Sequence, residues 1–251
     1  MAFYEVIINR YEDIKKSNLH EDWIFRGQTQ DWVLKSSLER FTDKRYLALL
    51  GRGLEWKEKF LELEKKFLTI FKNKATNFIS FPEKRLESTT LMQHYGLPTR
   101  LIDFSKVSDI AAYFATEKNN CDYENSVIWG INISKLSKKK FVVLDLYDEQ
   151  LIKNLRFKKK NGKFLLSTDY TFNLNKNNFT KKDISEINFT DCAMIKFIIP
   201  SQVKNEIRDY LNKNNINEKY LFPKDKDEEQ IIKICKEIKD NFKKVETCQF
   251  L

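Results

Sequence analysis

Residues 91–115, LMQHYGLPTRLIDFSKVSDIAAYFA, leave the chain few ways to fold. A helical run that begins at ESTTLM meets Gly96, a residue that stops helices because it accepts a left-handed backbone. Pro98 stiffens the loop that follows. TRLIDF then reads as a buried strand, and SDIAAYFA as a helix with Val107, Ile110, Ala111 and Phe114 in one stripe. The same segment carries His94, one of only two histidines, with Tyr95, Thr99, Arg100, Asp103 and Ser105. Positions 101, 103 and 105 share one face of a strand, so Asp103 and Ser105 point together into a cleft.

Elsewhere the pattern is read element by element. Residues 1–17 suggest an amphipathic helix with Val6, Ile7, Tyr11 and Ile14 on one face. A short strand, Trp23 to Phe25, enters a turn at Gly27, and KSSLER follows as a loop. Residues 54–79 repeat Trp56, Phe60, Leu63, Phe67, Ile70, Phe71 and Phe78 at helical spacing, and Pro82 ends that run. Ser88 is the expected N-cap of the next helix. SVIWGINI, FVVLDL and AMIKFII read as strands. IPSQVKNEIRDYLNK is a helix capped by Ser201, and a last helix over 226–243 turns Ile231, Cys235, Ile238 and Phe242 inward. Helices and strands mingle without βαβ alternation, so the expectation is an α+β fold in a single domain over 1–251.

Composition excludes several function classes. No apolar run is long enough to span a membrane, and the N-terminus lacks a basic-then-apolar leader, so a cytoplasmic location is expected. The four cysteines, at 121, 192, 235 and 248, have no CxxC spacing. With two histidines they argue against a metal site and against a disulfide framework, and all four read as free thiols. Dinucleotide-fold glycine fingerprints, phosphate-binding P-loops, nucleophile elbows and HExxH are absent. The net charge is +9. Basic runs at 135–140 and 156–163, interleaved with Phe141, Phe157 and Phe164, fit either a nucleic-acid groove or solvated loops around a strand. An AT-rich coding bias towards Lys, Asn and Ile also explains the charge, and both readings stay open.

The second chemistry-bearing segment is WIFRGQTQDWVLKSSLER, 23–40. An Arg delivered by a strand to a Gly turn suits an anionic group such as phosphate, with Gln28 beside it. The alternative is an Arg clamping a carboxylate such as Asp103, or a backbone carbonyl.

FRGQ with W.L..SL.R, then QHYGLPTRLIDFS and AAYFA, resembles the FRG domain family, named for the Phe25-Arg26-Gly27 triplet. IKFIIPSQVKNEIRDYLNKNNINEKYLFP is similar to the family's C-terminal pattern. The sequence departs from it at 164–174, where Thr168 and Tyr170 replace an expected Gln and Gly while Phe172 fits. More distantly, the chain is similar to ADP-ribosyltransferase-like domains, which implies small mixed sheets around a central cleft, enclosed by helices, that binds NAD. That likeness implies Arg26, His94 and Asp103 as catalytic residues, and Gly27, Gln28, Tyr95, Thr99, Arg100 and Ser105 as substrate-binding ones. A catalytic Glu is not identifiable. It implies an NAD-consuming enzyme, a transferase or an NAD hydrolase, with toxin or anti-phage roles as analogy. The competing readings are a nucleotide or nucleic-acid binding module, and a scaffold in which Arg26, Arg100 and Asp103 form a buried ion network.

Overall fold

The computed structural model describes residues 2–16, 19, 22–42, 54–118, 122–144, 162–167, 179–222 and 226–248. Among them a mixed eight-stranded sheet has the order β5-β6-β3-β2-β4-β8-β1-β7. Its strands are β1 (Ala2–Ile7), β2 (Trp23–Gln28), β3 (Leu101–Ser105), β4 (Ser126–Asn132), β5 (Phe141–Leu144), β6 (Gly162–Ser167), β7 (Thr180–Lys181) and β8 (Cys192–Ile199). β1 runs parallel to β7 and β8, and the other pairs are antiparallel. The helices are α1 (Glu12–Lys16), α2 (Ser37–Thr42), α3 (Leu54–Ala75), α4 (Arg85–His94), α5 (Ser108–Thr116), α6 (Lys204–Lys213), α7 (Glu218–Leu221) and α8 (Lys226–Cys248). This is an α+β fold, and none of these helices is long and apolar enough to cross a membrane.

The sheet is nearly cut in two. β2 follows β4 through six residue pairs, Trp23–Asn132 to Gln28–Val127, and β3 follows β6 through five. β2 and β3 meet at one pair, Phe25–Ser105. The expected small sheets are therefore two halves of one sheet, splayed beyond that contact.

Three apolar clusters hold the layers. One face of the sheet packs Phe25, Ile128 and Phe197 against Ala111, Ala112 and Ala115 of α5 and Ile207 and Leu211 of α6. The other face buries Ile24, Ile102, Phe104, Trp129 and Leu165. The third cluster joins α3, α4 and α8 through Phe60, Phe67, Phe71, Met92, Ile231 and Ile238.

Several sequence expectations are corrected. The N-terminal helix is strand β1 and then the short α1, with Val6 and Ile8 buried and Ile7 exposed between them. That alternation is the period of a strand. KSSLER is not a loop: Ser36 Oγ accepts from the Glu39 N–H (3.1 Å), and Glu39 Oε2 accepts from the Ser36 N–H (2.7 Å). This reciprocal capping box starts α2. α3 ends at Ala75, leaving Phe78 exposed. α4 begins at Arg85, so Ser88 lies inside it and donates to the Pro82 carbonyl instead of capping. Ser201 opens a 3-10 turn ahead of α6 and makes no side-chain cap. Gly96 stops α4 as expected, at φ +88°. Cys192 and Cys235 are buried free thiols, while Cys121 and the Cys248 side chain lie outside the described residues.

Candidate functional site

The splay between β2 and β3 opens a cavity of about 480 Å³. Its apolar walls are Phe25 and Phe104 of the two strands, Ile110 and Phe114 of α5, and Phe164 of β6, with Trp32 and Phe222 at the edges. Trp32 and Val33 are exposed. A second basin of about 240 Å³ is polar, with Lys35, Ser37, Arg40 and Gln93 along it. Arg26, Arg40, Gln93 and Asp103 border both basins and form the waist between them.

Arg26 sits at that waist because β2 carries it just past the Phe25–Ser105 pair, where β3 no longer offers the strand a partner. Its Nη1 donates to the Asp103 backbone carbonyl (2.9 Å) and lies 4.0 Å from the Asp103 carboxylate. Its Nε is buried and, among the described residues, has no hydrogen-bond partner. Burial lowers the Arg26 pKa; Asp103 opposes that shift and the charge of Arg40 adds to it. Arg40 shows the same direction, again led by burial and opposed by Asp103 and Glu39. Two guanidinium groups thus share one partly dry waist, where Asp103 is the carboxylate that borders both basins among the described residues.

That carboxylate is positioned by a relay from α4. Asp103 accepts from the Gln93 amide, and Gln93 accepts from the Thr99 hydroxyl. Thr99 is fixed in turn by Ser37, which accepts from its N–H (3.0 Å) and donates to its carbonyl (3.2 Å). The Asp103 side chain remains 58% exposed, so the relay orients it without removing it from solvent.

Gly27 works differently from the expected close approach to an anion. A Cβ there would stand 1.8 Å from the Ala111 carbonyl oxygen and 2.6 Å from the Ala115 nitrogen. The missing side chain lets α5 lie directly on β2. Gln28 is buried and accepts from the Trp129 indole N–H (2.6 Å). Ser105 is buried and accepts from the Val107 N–H (2.9 Å), shaping the turn into α5.

Of the residues expected in one site, Arg26, Gly27, Gln28, His94, Asp103 and Ser105 line the larger basin. Tyr95, Thr99 and Arg100 line neither basin. Tyr95 is buried in the helical cluster near Phe71. Arg100 turns away to Glu64 of α3, which accepts from its Nε (3.0 Å) and its N–H (2.8 Å). The expected ion network of Arg26, Arg100 and Asp103 is thus two separate pairs. The His94 side chain is nearly inaccessible, its Nε2 3.4 Å from Oε1 of the buried Glu228 of α8. Among the described residues no group of three His, Cys, Asp or Glu side chains could hold a metal ion.

Arg40, Gln93, Trp32 and Glu117 were missed as site residues. Arg40 and Gln93 lie inside the two motifs, four positions after Ser36 and one before His94. Phe164 and Phe222 stand out in the sequence only as an aromatic of the second basic run and as part of the C-terminal family pattern, and neither signal assigns them to this cavity, which they reach from distant segments. Lys138, Lys139 and Lys140 are exposed. Residues 156–161 of the second basic run, and Thr168, Tyr170 and Phe172, lie outside the described residues.

Comparison with curated proteins and with solved structures found no match. A family model described as the FRG domain matches residues 21–124. That span supplies β2, β3 and α2 to α5, hence the waist and one wall of the cavity. Phe164 and Phe222 complete the cavity from outside the match. The chain therefore carries an FRG domain over residues 21–124.

Proposed function

We propose that the splayed cleft is a nucleotide site and that its ligand is NAD, consumed by transfer of ADP-ribose to an acceptor or to water. The buried Nε of Arg26, without a hydrogen-bond partner among the described residues, carries this reading. An arginine held with a donor unsatisfied is unfavourable unless an acceptor arrives, and phosphate oxygens match its planar fork. The aromatic walls suit a flat ring, for which Trp32 offers a stacking face at the rim.

In such a reaction the bond between nicotinamide and ribose breaks, and the electron pair leaves with the nicotinamide. Water or an acceptor hydroxyl then bonds to the ribose carbon and gives up its proton. The developing positive charge on the ribose needs a fixed negative partner more than a strong base. Asp103, oriented by Gln93 and open to the cleft, supplies one, and Glu117 lines the same basin. His94, locked against Glu228, shapes the wall. A cytoplasmic setting and a toxin or anti-phage role belong to the same reading by analogy.

Purified protein incubated with NAD is expected to release nicotinamide, with Arg26→Lys strongly impaired. Absence of both nicotinamide release and affinity for NAD or ADP-ribose would overturn the reading. The exposed lysines 138–140 favour a second reading, a polyanion-binding surface. Their removal should lower the salt slope of nucleic-acid binding and leave NAD chemistry intact. An unchanged slope would remove that surface.

A further inference from the structure

We infer that the two basins form one seat for a diphosphate-bridged ligand, with Arg26 and Arg40 facing consecutive phosphates at the waist. The inference rests on the nucleotide reading and adds a second anion subsite to it. Its first support is geometric. Arg26 and Arg40 each border both basins, so a ligand that reaches from the aromatic basin into the polar one passes both arginines. The second is charge. Among the described residues one carboxylate, Asp103, borders the polar basin, against Arg26, Lys35 and Arg40, with Glu39 acting on Arg40 from its capping box. Arg26 and Arg40 are both disfavoured as cations by burial, and Arg40 further disfavours the charge on Arg26. A single phosphate at Arg26 would leave Arg40 facing an empty polar basin, whereas a second phosphate balances it.

The third support is that Arg40 is already aimed. One of its nitrogens is tied to the Lys35 carbonyl (2.6 Å), and α2, which carries it, is fixed by the Ser36–Glu39 capping box. Ser37 adds a hydroxyl to the same basin. The ring end of the ligand belongs to the aromatic basin, and the polar basin takes whatever hangs from the second phosphate.

Calorimetric titration of the full chain with adenosine, AMP, ADP and ADP-ribose tests this. Wild type should bind AMP more tightly than adenosine, and ADP about 10-fold or more above AMP, as expected for added charge-assisted hydrogen bonds. Arg40→Gln should abolish the step from AMP to ADP and leave AMP within about 3-fold. Arg26→Gln should abolish the step from adenosine to AMP. Lys35→Gln, at a residue that lines the polar basin and not the aromatic one, should reduce ADP affinity partly and AMP affinity hardly at all. Thermal melting checks that each variant is folded. Equal affinity for AMP and ADP in wild type would overturn the second subsite and leave the nucleotide site standing. Equal weakening of all four ligands by Arg40→Gln would also overturn it, because Arg40 would then act through shape. Failure of all four to bind wild type would overturn both readings.

Discussion

The Arg26 guanidinium holds the backbone carbonyl of Asp103, not its carboxylate: Nη1 is 2.9 Å from the carbonyl oxygen and 4.0 Å from Oδ2. The bond bridges two strands at the point where their own pairing stops. It ties the halves of the sheet together and leaves the carboxylate open to the cleft. The clamp uses Nη1, so it does not compete with the proposed ligand role, which would fall to the other nitrogens of this arginine.

Replacing Arg26 by Lys separates the two roles. Lysine keeps a charge and one donor for the carbonyl but loses the fork. Unfolding stability should fall by about 1 kcal/mol or less, the net worth of one such bond, while affinity for ADP-ribose drops by about 1.5–3 kcal/mol. A urea melt and one titration decide. A large stability loss with unchanged affinity would assign Arg26 to the scaffold alone.

Gly27→Ala should behave in the opposite way. Its new methyl meets the backbone of α5 rather than a flexible side chain, so the helix must move off the strand. The expected cost reaches the upper end of about 1–3 kcal/mol or exceeds it. Loss of activity here should track loss of folded protein by circular dichroism. A stable, inactive Gly27→Ala protein would contradict a packing role.

What the sequence revealed depended on distance along the chain. Helix α3 and strands β3, β4 and β8 were legible because their apolar periods are long and local. β1 was misread because Val6, Ile7 and Tyr11 fit a helical face as well as Val6 and Ile8 fit a strand. Its partner β8 lies 190 or 191 residues away, from Ala2↔Cys192 to Ile7↔Ile198. α2 is legible from Ser36-x-x-Glu39, a capping signature that marks a helix start in sequence alone. Arg100 was placed with Asp103 because they are neighbours in sequence. Its true partner, Glu64, was invisible because it sits on the polar-looking side of a helix read as scaffold. Arg26 and Asp103 were joined correctly because each stood at a strand end beside special residues. The aromatic walls could not be foreseen without the sheet order that gathers them.

Arg100→Met tests that reassignment. Glu64 is nearly fully buried, and removing its guanidinium partner leaves an uncompensated charge, which costs about 3–5 kcal/mol. Arg85, 3.9 Å from the same carboxylate, offsets part of this. Denaturation should shift strongly, while the protein that remains folded binds nucleotide normally. Weakened binding at unchanged stability would return Arg100 to the site.

Lys163 gives the fold a pH signature. Burial, then the neighbouring charge of Lys106, lowers its pKa from 10.5 to about 8. Between those values the unfolded chain holds a proton that the folded one has released, so this group adds stability as pH rises from about 8 towards 10.5. Cys192 and Cys235, each pushed by burial from 9.0 to about 12, act in the opposite sense above pH 9. The difference between wild type and Lys163→Met isolates the lysine. It should grow in favour of wild type with pH across that window, and a flat difference would contradict the depressed pKa.

Asp103→Asn separates binding from chemistry. Asparagine keeps the shape and can still accept from Gln93, so the relay through Thr99 survives. The negative charge at the waist is lost, leaving Arg26 and Arg40 without that counter-charge. Affinity for ADP-ribose should hold or improve by up to about 1 kcal/mol, since a like charge near the phosphates is gone and the site is partly solvated. Nicotinamide release should fall about 100-fold or more, because a preorganised charge facing the ribose transition state has been removed. Steady-state kinetics with NAD and a parallel titration with ADP-ribose read the two effects independently. If turnover is unchanged in a protein that still binds, Asp103 orients Arg26 only, and the carboxylate that meets the ribose must be sought elsewhere in the cleft, with Glu117 the next substitution to make.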